Sequence, residues 1–167
     1  MKNKFSIRQL DNNDSQQVIN LILPIQQQEF GVPISIEDQP DLIDIDSYYY
    51  KHGGSFWGVF DDHILVGTIA LLALGHHAAA IRKMFVRKEY RGKEKGIAQA
   101  LFDHLIAYCR EQGIRDIYLG TIDHMHAAHR FYERNGFEET GASALPSYFP
   151  RMAVDNVFYH LNLAPSI

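Results

Sequence analysis

Residues 81–105, IRKMFVRKEYRGKEKGIAQALFDHL, constrain this chain more than any other stretch. An apolar run over 81–86 predicts a strand. It enters a loop with two glycines and several cations, and an amphipathic helix begins near Gly96. Strand, glycine turn and helix N-terminus together favour an anion, because free backbone N–H groups and the helix dipole converge there. The charge is concentrated to match. Residues 82–95 hold Arg82, Lys83, Arg87, Lys88, Arg91, Lys93 and Lys95, seven of the 16 basic residues, against Glu89 and Glu94. Taken alone, such a loop is equally a solvated cationic turn.

The alternatives for a phosphate loop are narrowed by spacing. Gly96 is followed by Ile97 and not by Lys-Ser/Thr, so the nucleotide-triphosphate loop G-x-x-x-x-G-K-[ST] is absent. Gly92-Lys93-Glu94-Lys95-Gly96-Ile97-Ala98 is not G-x-G-x-x-G, and the strand comes late in the chain, which disfavours a dinucleotide fold. A second segment adds weight. Residues 116–120 (DIYLG) predict a strand and residues 125–134 a helix, with Gly136 at its left-handed end. Met125, Ala128 and Tyr132 fall on one face of that helix, so Tyr132 can look back toward the sheet.

These two segments resemble the GNAT (Gcn5-related) N-acetyltransferase family. The family's later helix pattern, A-x-x-[FL]-Y-x-x-x-G-F, is complete from Ala128 through Phe131, Tyr132 and Gly136 to Phe137. Its acetyl-CoA signature, [QR]-x-x-G-x-[GA], is met as Lys93-Glu94-Lys95-Gly96-Ile97-Ala98, with Lys in the Gln/Arg position. Tyr90-Arg91-Gly92-Lys93 also looks like the family's Y-R-G-K, separated from Gly96 by Glu94 and Lys95. The family often has Asn where this chain has Met125. The resemblance covers about residues 55 to 138.

That resemblance implies an acetyl-CoA cosubstrate held by Met84, Phe85, Val86, Arg91, Gly92, Lys93, Lys95, Gly96, Ile97, Ala98, Met125 and Ala128. It leaves open whether Arg91 or Lys93 meets the pyrophosphate. It implies direct acetyl transfer to a primary amine of a small molecule or peptide, with Tyr132 as the acid for the departing thiolate. A non-catalytic acyl-CoA-binding or regulatory module on the same fold is the alternative, and a homodimer is compatible with either.

The rest of the chain reads as one domain, 1–167, of class α/β. We expect a mixed central sheet of about six to seven strands with helices on both faces, the GNAT-like acyl-CoA N-acyltransferase architecture. Strands are predicted at 5–10, 55–60, 64–74, 78–86, 116–120 and 157–161. A helix from Asp14 toward Phe30 should be kinked or divided by Pro24, and a short helix from Asp41 should end at Gly53-Gly54. The single Cys109 excludes a disulfide framework and fits the apolar helix pattern as a packed thiol. The N-terminal residues have no apolar leader core and no stretch approaches a membrane span, so cytoplasm is the default expectation, with no membrane partner.

Charge is bipolar behind a net −4. From Gln9 to Tyr50 there is no Lys or Arg but eight acids: Asp11, Asp14, Glu29, Glu37, Asp38, Asp41, Asp44 and Asp46. If they rim the acceptor entrance they would attract a cationic amine; as a helix face they would merely be solvated. Nucleic acid is disfavoured, since the basic residues form one compact cluster. His124, His126 and His129 lack a carboxylate or cysteine to complete a metal set, so no metal is expected. Ser143 and Ser147 have no recognisable base partner. For the base that deprotonates the amine the sequence offers Glu37, Asp38, His76, His77 and Tyr148 without choosing among them, and His76-His77 also reads as a turn.

Overall fold

The computed structural model describes residues 5–163. Seven strands join one sheet in the order β1-β2-β3-β4-β5-β7-β6. They are β1 Phe5–Gln9, β2 Ser55–Asp61, β3 Ile64–Gly75, β4 Ala78–Val86, β5 Asp116–Thr121, β6 Glu138–Thr140 and β7 Val157–Asn162. The helices are α1 Ser15–Pro24, α2 Pro40–Ile43, α3 Ile45–Tyr48, α4 Ile97–Glu111 and α5 His126–Arg134. Every strand pair is antiparallel except β4 with β5, which α4 connects. The mixed sheet matches the expectation, and β6 is the seventh strand.

Helices cover both faces because both faces are apolar. On one, Leu101, Phe102, Leu105 and Cys109 of α4 and Tyr132 of α5 pack on Trp57, Val59, Ile69, Ile81 and Ile117. On the other, Val18, Leu21 and Ile22 of α1, with Leu42 and Ile45, cover Phe56, Phe60, Leu65 and Ala70. Cys109 is the packed thiol expected: burial pushes it up to about 12, far from a reactive thiolate. Pro24 divides the first helix as predicted. Lacking an N–H, it ends α1, and the chain continues as a π-turn over Ile25–Glu29 closed by the Phe30 amide on the Ile25 carbonyl (3.1 Å).

Two departures from regular pairing shape the centre of the sheet. β4 meets β5 only through Ala78, Ala79 and Ala80, opposite Asp116, Ile117 and Tyr118. Beyond Ala80 the two strands part, while β5 stays paired with β7 along its whole length. Between Arg82 and Phe85 the pairing of β4 with β3 also shifts register, and Lys83 takes φ 52°. This is a bulge, which bends a strand and re-aims its side chains.

The bulge turns Lys83 inward. Its ammonium is buried, donating to Gln39 Oε1 (2.7 Å) and lying 3.7 Å from Asp41, whose carboxylate also accepts from the Tyr49 hydroxyl (2.6 Å). Gln39 and Gln26 exchange two amide hydrogen bonds of 2.9 Å. Desolvation lowers the Lys83 pKa and Asp41 opposes it. Lys83 therefore ties the α2 region to the bulge, and it leaves the phosphate-loop cluster in which the sequence placed it.

Candidate active site

Where β4 and β5 part, a cleft of about 950 Å³ opens between Ile81, Arg82, Lys83, Met84, Phe85 and Val86 on one side and Leu119, Gly120, Thr121 and Ile122 on the other. On the side facing β5, the stretch of β4 from Ile81 onward has no strand partner, so its backbone groups are open to an extended ligand. The loop before α4 forms one end of the cleft, through Arg91, Gly92, Lys93, Gly96 and Ala98. Helix α5 forms another wall, through Met125, Ala128 and Tyr132. Met84, Phe85 and Val86 complete the gathering of the predicted site residues. Lys95 and Ile97 do not join it. Lys95 lies exposed outside the cleft lining, and Ile97 is 3% exposed, packed into the core between α4 and the sheet.

Helix α4 starts without a side-chain cap, on Gly96 at φ 65°. Its first-turn amides are therefore available to an anion. The amides of Lys95 and Gly96 are not, since both donate to the Gly92 carbonyl at 3.2 Å. A Cβ on Gly96 would meet only the Lys93 carbonyl, at 3.9 Å, so the space there opens outward. Its positive φ is the second demand for glycine, and a β-branched residue would strain the turn itself.

The two candidate cations differ in their attachments. Arg91 sends Nε to the Val86 carbonyl (2.8 Å) and forks onto Glu29, with Nη2 2.8 Å from Oε1 and Nη1 closing the pair. The guanidinium beside Glu29 holds that carboxyl below its usual range. Lys93 lines the cleft and forms no ion pair among the described residues.

Tyr132 is buried, with its ring against Phe131, Phe137 and Tyr159 at centroid distances of 5.7–6.0 Å. Its hydroxyl has one contact, a long one of 3.9 Å to Met84 Sδ. Burial, with the Asp155 charge second, pushes the phenol well above the usual tyrosine range, so it is a neutral hydrogen-bond donor at any working pH.

The candidate bases named from sequence do not line the cleft; Glu37, Asp38, His76, His77 and Tyr148 all lie away from it. His76 and His77 make the turn into β4 at φ 57° and 58°, and the His76 ring stacks on Tyr148 at 4.1 Å. The acidic stretch is occupied elsewhere. Asp14 pairs with Arg8, Glu29 with Arg91 and Asp41 with Lys83, while Asp11, Asp38 and Asp44 accept from nearby backbone amides. None of the eight acids lines the cleft. His129 donates to the Ile122 carbonyl (2.9 Å) and His124 to the Phe30 carbonyl (3.1 Å). The carboxylate that does reach the cleft is Asp155, in the loop before β7, which the sequence reading passed over.

A family model described as "Acetyltransferase (GNAT) family" matches residues 19–137. The chain belongs to the GNAT acetyltransferase family. It is similar to a GNAT-family acetyltransferase structure from Staphylococcus aureus Mu50, at 42% identity and a TM-score of 0.91, over 95% of this chain and 99% of that one. It is also similar to rat "N-acetyltransferase family 8 member 2", 30% identical over 134 residues, 77% of this chain and 58% of that protein. "N-acetylaspartate synthetase" of Xenopus tropicalis is 37% identical over 105 residues, 60% of this chain and 37% of that protein. The chain thus spans about half the length of the curated relatives it matches. The family is one of acetyltransferases that use acetyl-CoA as cosubstrate. The residues present suit that group: an unpaired strand edge for the amides of the pantetheine arm, and an uncapped helix start with a free lysine for the pyrophosphate. Among the described residues no helix is long and apolar enough to cross a membrane.

Proposed function

We propose that the protein is an acetyl-CoA-dependent N-acetyltransferase that moves acetyl directly to a primary amine of a small molecule or peptide. The observation that carries this reading is the fork between β4 and β5, with Tyr132 facing into it from α5. When bound there, acetyl-CoA supplies a thioester whose carbonyl carbon the amine attacks, the C–N bond forming as the C–S bond breaks. Those backbone N–H groups of the 84–86 stretch that point away from β3 are open to the carbonyl oxygen as it gains charge. Lys93 and the first-turn amides of α4 hold the phosphates, with Arg91 as a brace that fixes the loop to Glu29. Met125 and Ala128 flank the pantetheine arm.

Tyr132 serves the departing sulfur. Its raised pKa forbids a standing phenolate, so a proton passed to sulfur is replaced by the one that the nitrogen sheds. No separate acid is then required. The amine acceptor draws support from one relative whose name is that of a synthetase of N-acetylaspartate, an acetylated amino acid. The acidic stretch lends no support to a cationic acceptor, because none of its eight acids lines the cleft and six of them are capped or paired elsewhere.

The test is thiol release from acetyl-CoA across a panel of primary amines, with CoA affinity followed by calorimetry. A transferase binds CoA and releases thiol only with an acceptor present. A binding-only module on this fold binds CoA and releases none with any amine, and that result would reject the proposal.

A further inference from the structure

Among the charged side chains that line the cleft and that the transfer chemistry above leaves unused, Arg82 and Asp155 lie at the fork itself, whereas Arg130 and Arg134 lie on α5. Arg82 is half-buried on β4 at the edge of the bulge. Its one hydrogen bond is from Nη2 to Met152 Sδ (2.8 Å), and it forms no ion pair among the described residues. A thioether is a weak acceptor, so most of the guanidinium's five donors are unspent. Asp155 stands across the cleft beside the end of β5. A Cβ on Gly120 would lie 2.5 Å from its Oδ2, so the carboxylate fills space at the fork that only glycine leaves.

Asp155 accepts no hydrogen bond from any described residue, and its main chain is fixed by its own amide on Met152 and the Asn156 amide on Thr121 (2.9 Å). Burial raises its proton affinity against the opposing pull of Arg82, Lys83 and Arg151. Its oxygens open to the cleft and are not sealed in the core, so a ligand N–H can reach them. Around this pair the wall is apolar: Val32, Ile34 and Ile122, with Met152 and Val154 packed against them.

We propose that the acceptor is an α-amino acid with an apolar side chain, its carboxylate on Arg82 and its ammonium toward Asp155. This rests on the transferase reading and deepens it. The ammonium gives one proton to Asp155; the freed nitrogen pair forms the C–N bond; the C–S bond breaks; the nitrogen's second proton reaches sulfur through Tyr132. Asp155 then returns its proton to water, so one proton is released per turnover. A cationic polyamine would instead bring its charges against Arg82.

The test compares L-methionine, L-leucine and L-phenylalanine with their carboxamides and with spermidine, by thiol release. The amino acids are also titrated calorimetrically into the protein–CoA complex. The amide's amine is less basic, so intrinsic reactivity at neutral pH favours the amide, and any preference for the acid comes from the protein. A charge-assisted contact predicts a preference of about 10- to 100-fold in kcat/KM for the free acid. Arg82→Gln should erase that preference and weaken amino-acid binding to the CoA complex by a similar factor. Asp155→Asn should lower kcat by roughly 10²-fold or more, while amino-acid binding persists. Gly120→Ala, which displaces the carboxylate without removing it, should move kcat the same way.

Each variant should keep the wild-type far-UV circular dichroism and melt in one cooperative transition, which certifies the fold. Equal use of acid and amide, a preference for spermidine, or an unchanged acid-to-amide ratio in Arg82→Gln would overturn the inference and leave the transferase standing. Binding of CoA without thiol release from any amine would remove the transferase reading first, and this inference with it.

Discussion

Replacing Tyr132 by phenylalanine removes one oxygen and little else. The ring keeps its contacts with Phe131, Phe137 and Tyr159, and the lost contact is a 3.9 Å approach to a thioether. A neutral hydrogen bond is worth about 1 kcal/mol to stability, and one this long to sulfur should be worth less, so the melting temperature should move by no more than about 2 °C. The effect on turnover follows from the environment. Burial raises the phenol's proton affinity above that of a thiol, so outright ionisation of Tyr132 is uphill. What remains is a hydrogen bond to a sulfur that gains charge, or a proton relay in step with the nitrogen. A hydrogen bond to a charged group contributes about 1.5–3 kcal/mol, which at 1.4 kcal/mol per factor of ten is roughly 10- to 100-fold. We therefore expect Tyr132→Phe to lower kcat and kcat/KM together by that factor while CoA affinity stays within twofold. Steady-state thiol release and calorimetry on the same preparation measure both. A rate within twofold of wild type would refute the assignment and leave water or substrate to protonate the sulfur.

Two further outcomes follow from the charges. Lys93→Glu should weaken acetyl-CoA binding about tenfold at low salt, one exposed ion pair being lost and a repulsion gained at about 0.2–1 kcal/mol each; Arg91→Ala should cost less affinity but more stability, since Arg91 is spent on Glu29 and Val86, and the reverse ranking in calorimetry would exchange their roles. Asp155 holds its proton more tightly folded than unfolded, so the folded state loses stability as pH rises from the ordinary carboxylate pKa through the raised one. Asp155→Asn should accordingly melt higher than wild type at pH 7, with the gap closing below about pH 3.9; a lower melting point at pH 7 would show the carboxylate to be structurally paired.

The elements that wall the loop end of the cleft are legible in the sequence because they are local. Strand, glycine loop and helix lie within residues 81–105, and the apolar periodicities that define them survive folding almost unchanged. Gly136 and the Tyr132 face of α5 were readable for the same reason, and Pro24 divided its helix as its missing N–H requires. What failed was whatever depended on distant partners. Lys83 looked like a loop cation, but a bulge at φ 52° sends it under the sheet to Asp41 and Gln39. Ile97, inside the signature, faces the core. The acidic run suggests a charged entrance, yet none of its carboxylates lines the cleft and six are caps or ion-pair partners, with mates up to 62 residues away. Strand β6 is three residues, Glu138–Thr140, without apolar alternation. Asp155 sits in an irregular loop with no period to mark it. A lone acid becomes visible there only once Gly120 is seen beneath it.

In the proposed reaction acetyl-CoA enters the fork between β4 and β5 and rests its phosphates on the start of α4. Hydrogen exchange with and without acetyl-CoA tests it most directly, because the β4 amides facing β5 beyond Ala80 have no strand partner in the free protein. New protection is expected in two segments, 81–86 and 92–99, with little change in β1 or β2. Stoichiometric binding that leaves residues 81–86 exchanging as before would place the cofactor elsewhere and contradict it.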